Sequence, residues 1–196
     1  MIIKDIFIRF VELIFSINIE KRFTMSNQGF YQNQFKPKNP QKCVNLTLVE
    51  SFKGIPSENL KKDSFGKYPF ARSSYENRMF TWLDNNKNVL SWGSEVIQCQ
   101  YINMNDKKIH RYWVDIYMEM KNSDGIVRKY IIEIKPKKKL TPPKLPKNKT
   151  RKAMANYDYA MAEFIQNKSK WDSAKLWGQK HGMIFDIVTE EQLFTK

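Results

Sequence analysis

Apolar residues recur at Tyr75, Met79, Trp82 and Leu83, spaced i, i+4, i+7 and i+8, which is one face of a 3.6-residue period and predicts a helix beginning at Ser73. The polar run DNNKN (84–88) ends it. The segments VLSW (89–92), SEVIQCQY (94–101), RYWVDIYMEM (111–120) and VRKYIIEIK (127–135) predict strands, and the NSDG between the last two predicts a hairpin. Helical spacing returns with Met154, Tyr157, Met161, Phe164 and Ile165 on one face, and another helix is predicted from near Trp171 to Lys180, stopped by His181-Gly182. MIFDIV (183–188) predicts a last core strand, and Thr189 with Gln192 three residues on forms a capping box for a short terminal helix. The order helix, three or four strands, two helices, strand and helix predicts an α/β domain with a mixed sheet.

The hairpin register decides which side chains meet. With the three-residue loop Ser123, Asp124 and Gly125, Gly taking the left-handed position, paired residue numbers sum to 248 and Asp115 faces Glu133 across the ladder. Glu119 then opposes Lys129, a favourable cross-strand pair that supports this register. A two-residue Asp-Gly loop shifts the sum to 249 and sends Asp115 and Glu133 to opposite faces. In the first register Glu133 and Lys135 share a face with Asp115 beside them, and Tyr112, Val114, Ile116, Met118, Tyr130, Ile132 and Ile134 make the buried side.

The 196 residues suit one compact domain with arms. The first segment, MIIKDIFIRFVELIFSINIEKRFT, carries Lys4, Asp5, Arg9 and Glu12, too many charges for the ~20 apolar residues that span a bilayer. It also lacks the small-residue cleavage site of a signal peptide. Residues 1–24 are therefore expected to be a non-native or flexible extension, with the working protein starting at Met25. Residues 25–68 are expected to form an N-terminal arm, because SNQGFYQNQFKPKNPQKCVN has no helical or strand period. Its Phe30, Tyr31 and Phe35 suit packing across the domain or base stacking. Residues 69–196 would form the main domain, including a basic loop at 136–152.

Apolar residues at 41% and aromatics at 14% exclude wholesale disorder. The net charge of +14 points to a polyanionic partner, and nucleic acid is favoured over a membrane surface because the basic residues are interleaved with aromatics and not gathered on one amphipathic helix. Between Lys135 and Lys152 fall nine basic residues, four of the eight prolines and no acid, a composition foreign to helix or central strand. Lys137, Lys138, Lys139, Lys144, Lys147, Lys149, Arg151 and Lys152 are expected to follow a phosphate backbone, the alternative being a solvated flexible loop. Cys43 and Cys99 form no CxxC and have no histidine cluster, so neither a zinc site nor a disulfide framework is supported. His110 and His181 are expected at surface or structural positions, and Trp171 and Trp177 in the core.

Two carboxylates and an amine at one strand end suit phosphodiester hydrolysis. Hard oxygen ligands such as Asp115 and Glu133 hold Mg2+, which keeps several waters and takes a phosphate oxygen. The ion polarises the phosphoryl group and lowers the pKa of a bound water. A lysine on the same face, Lys135, orients that water and stabilises developing charge. The same residues also make an inter-strand ion pair, contributing ~0–1 kcal/mol where exposed, and spacing alone leaves both readings open.

Asp115, followed by EIK at 133–135 and preceded by a helix bearing Glu76, resembles the PD-(D/E)xK nuclease superfamily, with WVD (113–115) where that superfamily usually has Pro-Asp. More narrowly, MSNQGFYQ, RSSYE, WGSE, HRYWVDIYME and YIIEIKPKKK together resemble the head completion nucleases of tailed, myovirus-type phages, from about Met25 to the C-terminus. The resemblance implies a restriction-endonuclease-like α/β core, a mixed β-sheet flanked by helices. It implies a Mg2+-dependent DNA nuclease, with Mn2+ as a substitute ion and endonuclease and exonuclease action both open. Its partners would be DNA and phage head or neck proteins, in the host cytoplasm during assembly and in the virion, with no membrane and an open oligomeric state.

By position, the resemblance makes Asp115 and Glu133 metal ligands, Lys135 the catalytic lysine, and Glu76 the helix acid that helps hold metal or water. Ser73-Ser74-Tyr75-Glu76 is also a capping box, in which Glu76 only closes the helix start. Two other functions fit the same residues: a structural head or neck DNA-binding protein with a vestigial acid cluster, and a repair or transposon-end endonuclease on the same fold.

Overall fold

The computed structural model describes residues 33–47 and 55–193. A short antiparallel pair, β1 (Asn33–Gln34) with β2 (Phe70–Ala71), leads into α1 (Ser74–Asn85). α1 starts where the Ser73 hydroxyl oxygen accepts from the Glu76 N–H at 3.1 Å, so a side chain satisfies one of the amides left free at a helix N-terminus. Its predicted apolar stripe is present, with Met79, Phe80 and Leu83 buried and Tyr75 and Trp82 packed at the margin.

Five strands follow: β3 (Val89–Ser94), β4 (Gln98–Asn103), β5 (Lys108–Trp113), β6 (Ile116–Lys121) and β7 (Val127–Ile134). Then come α2 (Arg151–Lys180), β8 (Met183–Val188) and α3 (Glu190–Leu193). The central sheet runs β3-β6-β7-β8, antiparallel except for β8, which pairs parallel with β7 after the α2 crossover. β4 and β5 form a separate two-stranded ribbon. This is the expected α/β core, a mixed sheet flanked by helices.

Both faces of the sheet are buried. On one, α1 covers Trp92, Ile116, Met118, Met120, Tyr130, Ile132 and Ile134; on the other, α2 covers Tyr117, Ile131 and Met183 together with β4–β5 residues such as Cys99 and Tyr112. Strands enclosed on two sides carry near-continuous apolar runs, which is why VRKYIIEIK alternates so weakly.

Three expectations are corrected. RYWVDIYMEM is two strands, because the Val114 N–H bonds the Ile97 carbonyl (3.0 Å) and the Asp115 carbonyl accepts from the Glu95 N–H (3.0 Å), turning the chain from the ribbon into the sheet. Tyr112 and Val114 consequently lie on the α2 side and not with Ile116 and Met118. The two helices expected after residue 152 are one helix of 30 residues, and Arg151 and Lys152 sit in its first turn, beyond the basic loop.

The described part of the expected arm packs into the domain. Cys43 and Val44 are fully buried, Cys43 bridges to Trp92, and the Phe35 ring lies 5.6 Å from Phe80 and 5.8 Å from Trp92. The expectations for residues 1–24, the Met25 start, Phe30 and Tyr31 fall outside the described residues. No helix among the described residues is long and apolar enough to cross a membrane.

Candidate active site

The β6–β7 hairpin has the register that sums to 248, from Ile116 opposite Ile132 to Lys121 opposite Val127. Its loop is the three-residue one: the Asn122 N–H bonds the Ile126 carbonyl at 2.9 Å, and Gly125 has φ 78°, a conformation glycine adopts without steric cost. The Asp124 carboxylate accepts from the Ile126 N–H (2.9 Å) and pairs with Arg128 (2.6 Å), and Lys129 lies 3.4 Å from Glu119 across the ladder. These short-range contacts hold the alignment that brings the carboxylates together.

Asp115 lies at the corner where β5 gives way to β6, one residue beyond the last paired position of the ladder. Its Oδ2 accepts from the Ile134 N–H at 2.8 Å, which brings the carboxylate to the end of β7. Glu133 is 2% exposed. One of its oxygens lies 2.9 Å from Lys135 Nζ, and the other accepts the Tyr112 hydroxyl hydrogen. Asp115, Glu133 and Lys135 therefore converge, and Tyr112 joins them.

Their electrostatics are coupled. Burial, then the Glu133 charge and more weakly Glu76, push the Asp115 carboxyl up to about 8, against the opposing pull of Lys135 and the Ile134 N–H. Burial works to lower the Lys135 ammonium, but the charges of Glu133 and Asp115 outweigh it and hold it above its usual value, so it is protonated at neutral pH. Burial, followed by the Glu133 and Asp115 charges, keeps the Tyr112 phenol well above its ordinary value, so it remains a neutral donor to Glu133.

Glu76 is engaged at the helix start: its carboxylate accepts from the Arg72 N–H (2.9 Å) and the Ser73 hydroxyl (3.0 Å). The local capping geometry is therefore present, while its charge still reaches Asp115 and Lys135. Among the basic residues, Lys137 pairs with Glu191 (2.6 Å) and Lys139 with Glu163 (2.5 Å), which ties the segment 136–150, the strap between β7 and α2, to α3 and α2. Lys138, Lys144, Lys147, Lys149, Arg151 and Lys152 are exposed and make no ion pair among the described residues. Trp171 is buried, Trp177 stacks on His181 at 4.0 Å, and His110 pairs with Asp106 at 2.8 Å.

Two residues near the site were missed by sequence reasoning, Tyr112 and Lys170. Tyr112 reads from the sequence as an ordinary inward strand residue, and the kink at Asp115 turns it toward Glu133. Lys170 lies far along α2, and the charges of Glu133, Lys135 and Asp115 all act on it. Only the packing of α2 over the ribbon brings it close, and no local spacing signals that.

No group of three His, Cys, Asp or Glu side chains comes together among the described residues as a metal-holding cluster. The two carboxylates nevertheless fit an oxygen-seeking divalent ion of the Mg2+ type, which binds through one or two carboxylates plus water and substrate phosphate. Asp115 Oδ1 makes no hydrogen bond among the described residues, which leaves an oxygen for such an ion.

Residues 86–190, more than half of the chain and spanning Asp115, Glu133 and Lys135, match the family described as TnsA-like endonuclease N terminal. The chain belongs to this endonuclease family. A head completion nuclease of Enterobacteria phage T4 is 34% identical over 146 residues, which cover 74% of this chain and 95% of the relative. The resemblance to head completion nucleases drawn from the short motifs is thus borne out over most of the chain. The family's restriction-endonuclease-like fold is the mixed sheet and flanking helices described above, and membership makes the chain a nuclease.

Proposed function

We propose that this protein is a divalent-metal-dependent DNA nuclease of phage head completion, acting before tails join filled heads, with Mg2+ the working ion and Mn2+ able to replace it. The reading rests chiefly on one observation: Asp115 and the Glu133–Lys135 pair converge at a half-enclosed sheet corner inside the region matched to an endonuclease family. The relative's description as a head completion nuclease supports the assembly role, and association with head or neck proteins in the virion goes with it.

In this reading Asp115 and Glu133 hold the ion, which when bound supplies Lewis acidity and lowers the pKa of its water. Lys135, protonated and anchored on Glu133, orients the attacking water and stabilises charge developing on the phosphate. Tyr112 holds Glu133 in one rotamer by its hydroxyl. Glu76 acts on the same centre through its charge and would help hold the metal or its water. The exposed cations from Lys138 to Lys152 track the DNA backbone without reading its sequence.

The test uses the full chain on closed circular and linear DNA with Mg2+, Mn2+ or EDTA, beside Glu133→Gln and Lys135→Ala variants checked for folding and DNA binding. Metal-dependent opening of the circle, lost in both variants while binding persists, is the expected result. Binding without cutting, or variants that cut as well as wild type, would replace the reading with a structural DNA-binding protein. Cleavage confined to one sequence would move it to a transposon-end or repair endonuclease.

A further inference from the structure

Lys170 lies on α2 beside the buried Trp171 and is itself half-buried. A lysine in that position ordinarily extends its ammonium to water or pairs it with an acid. Among the described residues this one makes no hydrogen bond and no ion pair. Its Nζ lies instead 5.7 Å from the Tyr112 ring centre and 5.9 Å from that of Tyr101, within cation–π range of both.

The two rings are fixed. Both tyrosines are buried and meet edge to face at 6.5 Å. The Tyr101 hydroxyl accepts from Gln166 Nε2 at 3.0 Å, and the Tyr112 hydroxyl donates to Glu133. The platform under the ammonium thus includes the residue that positions a catalytic carboxylate, and Glu133 bonds Tyr112 and Lys135 without pairing with Lys170. A cation is held at the wall of the site with its three N–H donors free, on the α2 side, whereas Lys135 comes from the end of β7. Burial lowers the Lys170 ammonium, Glu133 and Asp115 act to restore it, and Lys135 works against them, in keeping with its place beside the cluster.

We propose that Lys170 is a second phosphate-binding cation of the active site, taking a non-bridging oxygen of the DNA backbone next to Asp115 and Glu133. The inference rests on the nuclease reading and deepens it. A compact ammonium with free donors suits a phosphate oxygen, and the rings limit the freedom it would lose on binding.

The test compares wild type, Lys170→Met and Lys170→Arg in the full chain. Binding to a linear duplex is measured in EDTA across a salt series, and cleavage is measured with Mg2+. Lys170→Met is expected to weaken binding or raise KM about tenfold, the scale of one charge-assisted hydrogen bond. It should reduce the slope of log affinity against log salt by about 1, with Tm within a few degrees of wild type. Lys170→Arg should restore most of both. An unchanged salt slope in Lys170→Met overturns the proposal, whether activity is kept or falls together with Tm. If wild type does not cut, the nuclease reading fails by itself, and the EDTA binding arm still decides the phosphate contact.

Discussion

Glu133 is enclosed within the sheet, and a buried carboxylate is tolerated only while its oxygens are satisfied. Lys135 and Tyr112 divide that task, the first as an ion pair, the second as a hydroxyl donor. Tyr112→Phe keeps the ring beneath Lys170 and removes one hydroxyl. Metal affinity or cleavage should fall ~10–100-fold, the usual effect of losing a group that orients a ligand. Titrating activity against Mg2+ at fixed DNA checks it, and an unaltered curve would show that Glu133 needs no such support. Asp186 on β8 offers a contrast away from the chemistry: burial raises its carboxyl above the ordinary value, with the Ile187 N–H at 2.8 Å pulling it partly back. The folded state therefore holds the Asp186 proton more tightly than the unfolded state, and stability is lost as pH rises from the unfolded value of about 3.9 through the folded one. Asp186→Asn keeps an oxygen for Ile187 and removes the charge. Its urea midpoint should exceed wild type at pH 7.5, with the advantage shrinking toward pH 4; a gain independent of pH would point to packing instead.

At the scale of elements, the sheet corner is built by segments distant in sequence. β3 approaches the Cys43–Asn45 turn so closely that a Cβ on Gly93 would lie 2.3 Å from Val44 Cγ2 and 3.1 Å from both methyls of Val96. Gly93→Ala gains β propensity but forces branched, buried side chains apart, an overpacking cost of roughly 1–3 kcal/mol. Its urea midpoint should drop accordingly, and Val44→Ala in the same chain should restore part of the loss; equal stability of Gly93→Ala and wild type would mean that the turn yields freely. The hairpin was legible in the sequence because its determinants are local: Gly125, Asp124, and Glu119 opposite Lys129. Asp115 and the Glu133–Lys135 pair were legible for the same reason. The break at Val114–Asp115 was not, since backbone groups of Glu95 and Ile97 impose it. The unity of α2 was hidden too: most of its first half is only half-buried or exposed, so the apolar stripe fades between Ile165 and Trp171 with no Gly or Pro to end the helix. Lys170 could be found only once that helix was packed on the ribbon.

The chain carries +14, and nine of its basic residues, with no acid among them, fall between Lys135 and Lys152. Lys137 pairs with Glu191 and Lys139 with Glu163 along the strap that leaves the site at Lys135. Lys138, Lys144, Lys147 and Lys149 remain exposed along it, continuing into Arg151 and Lys152 on the first turn of α2. A duplex lying there would lose one condensed counterion for each phosphate neutralised, so log affinity should fall with log salt at a slope of roughly −0.9 per contact. Replacing Lys144, Lys147 and Lys149 together by Gln should flatten that slope by about 3 and weaken binding alike on unrelated sequences, since backbone contacts carry no base information. The rate at saturating DNA should stay near wild type, because none of the three touches the carboxylates. This separates the strap from Lys170, which is placed to meet the phosphate nearest the chemistry. An unchanged slope in the triple variant would make the strap a solvated loop, and cleavage lost even at saturating DNA would place its lysines at the reacting phosphate instead.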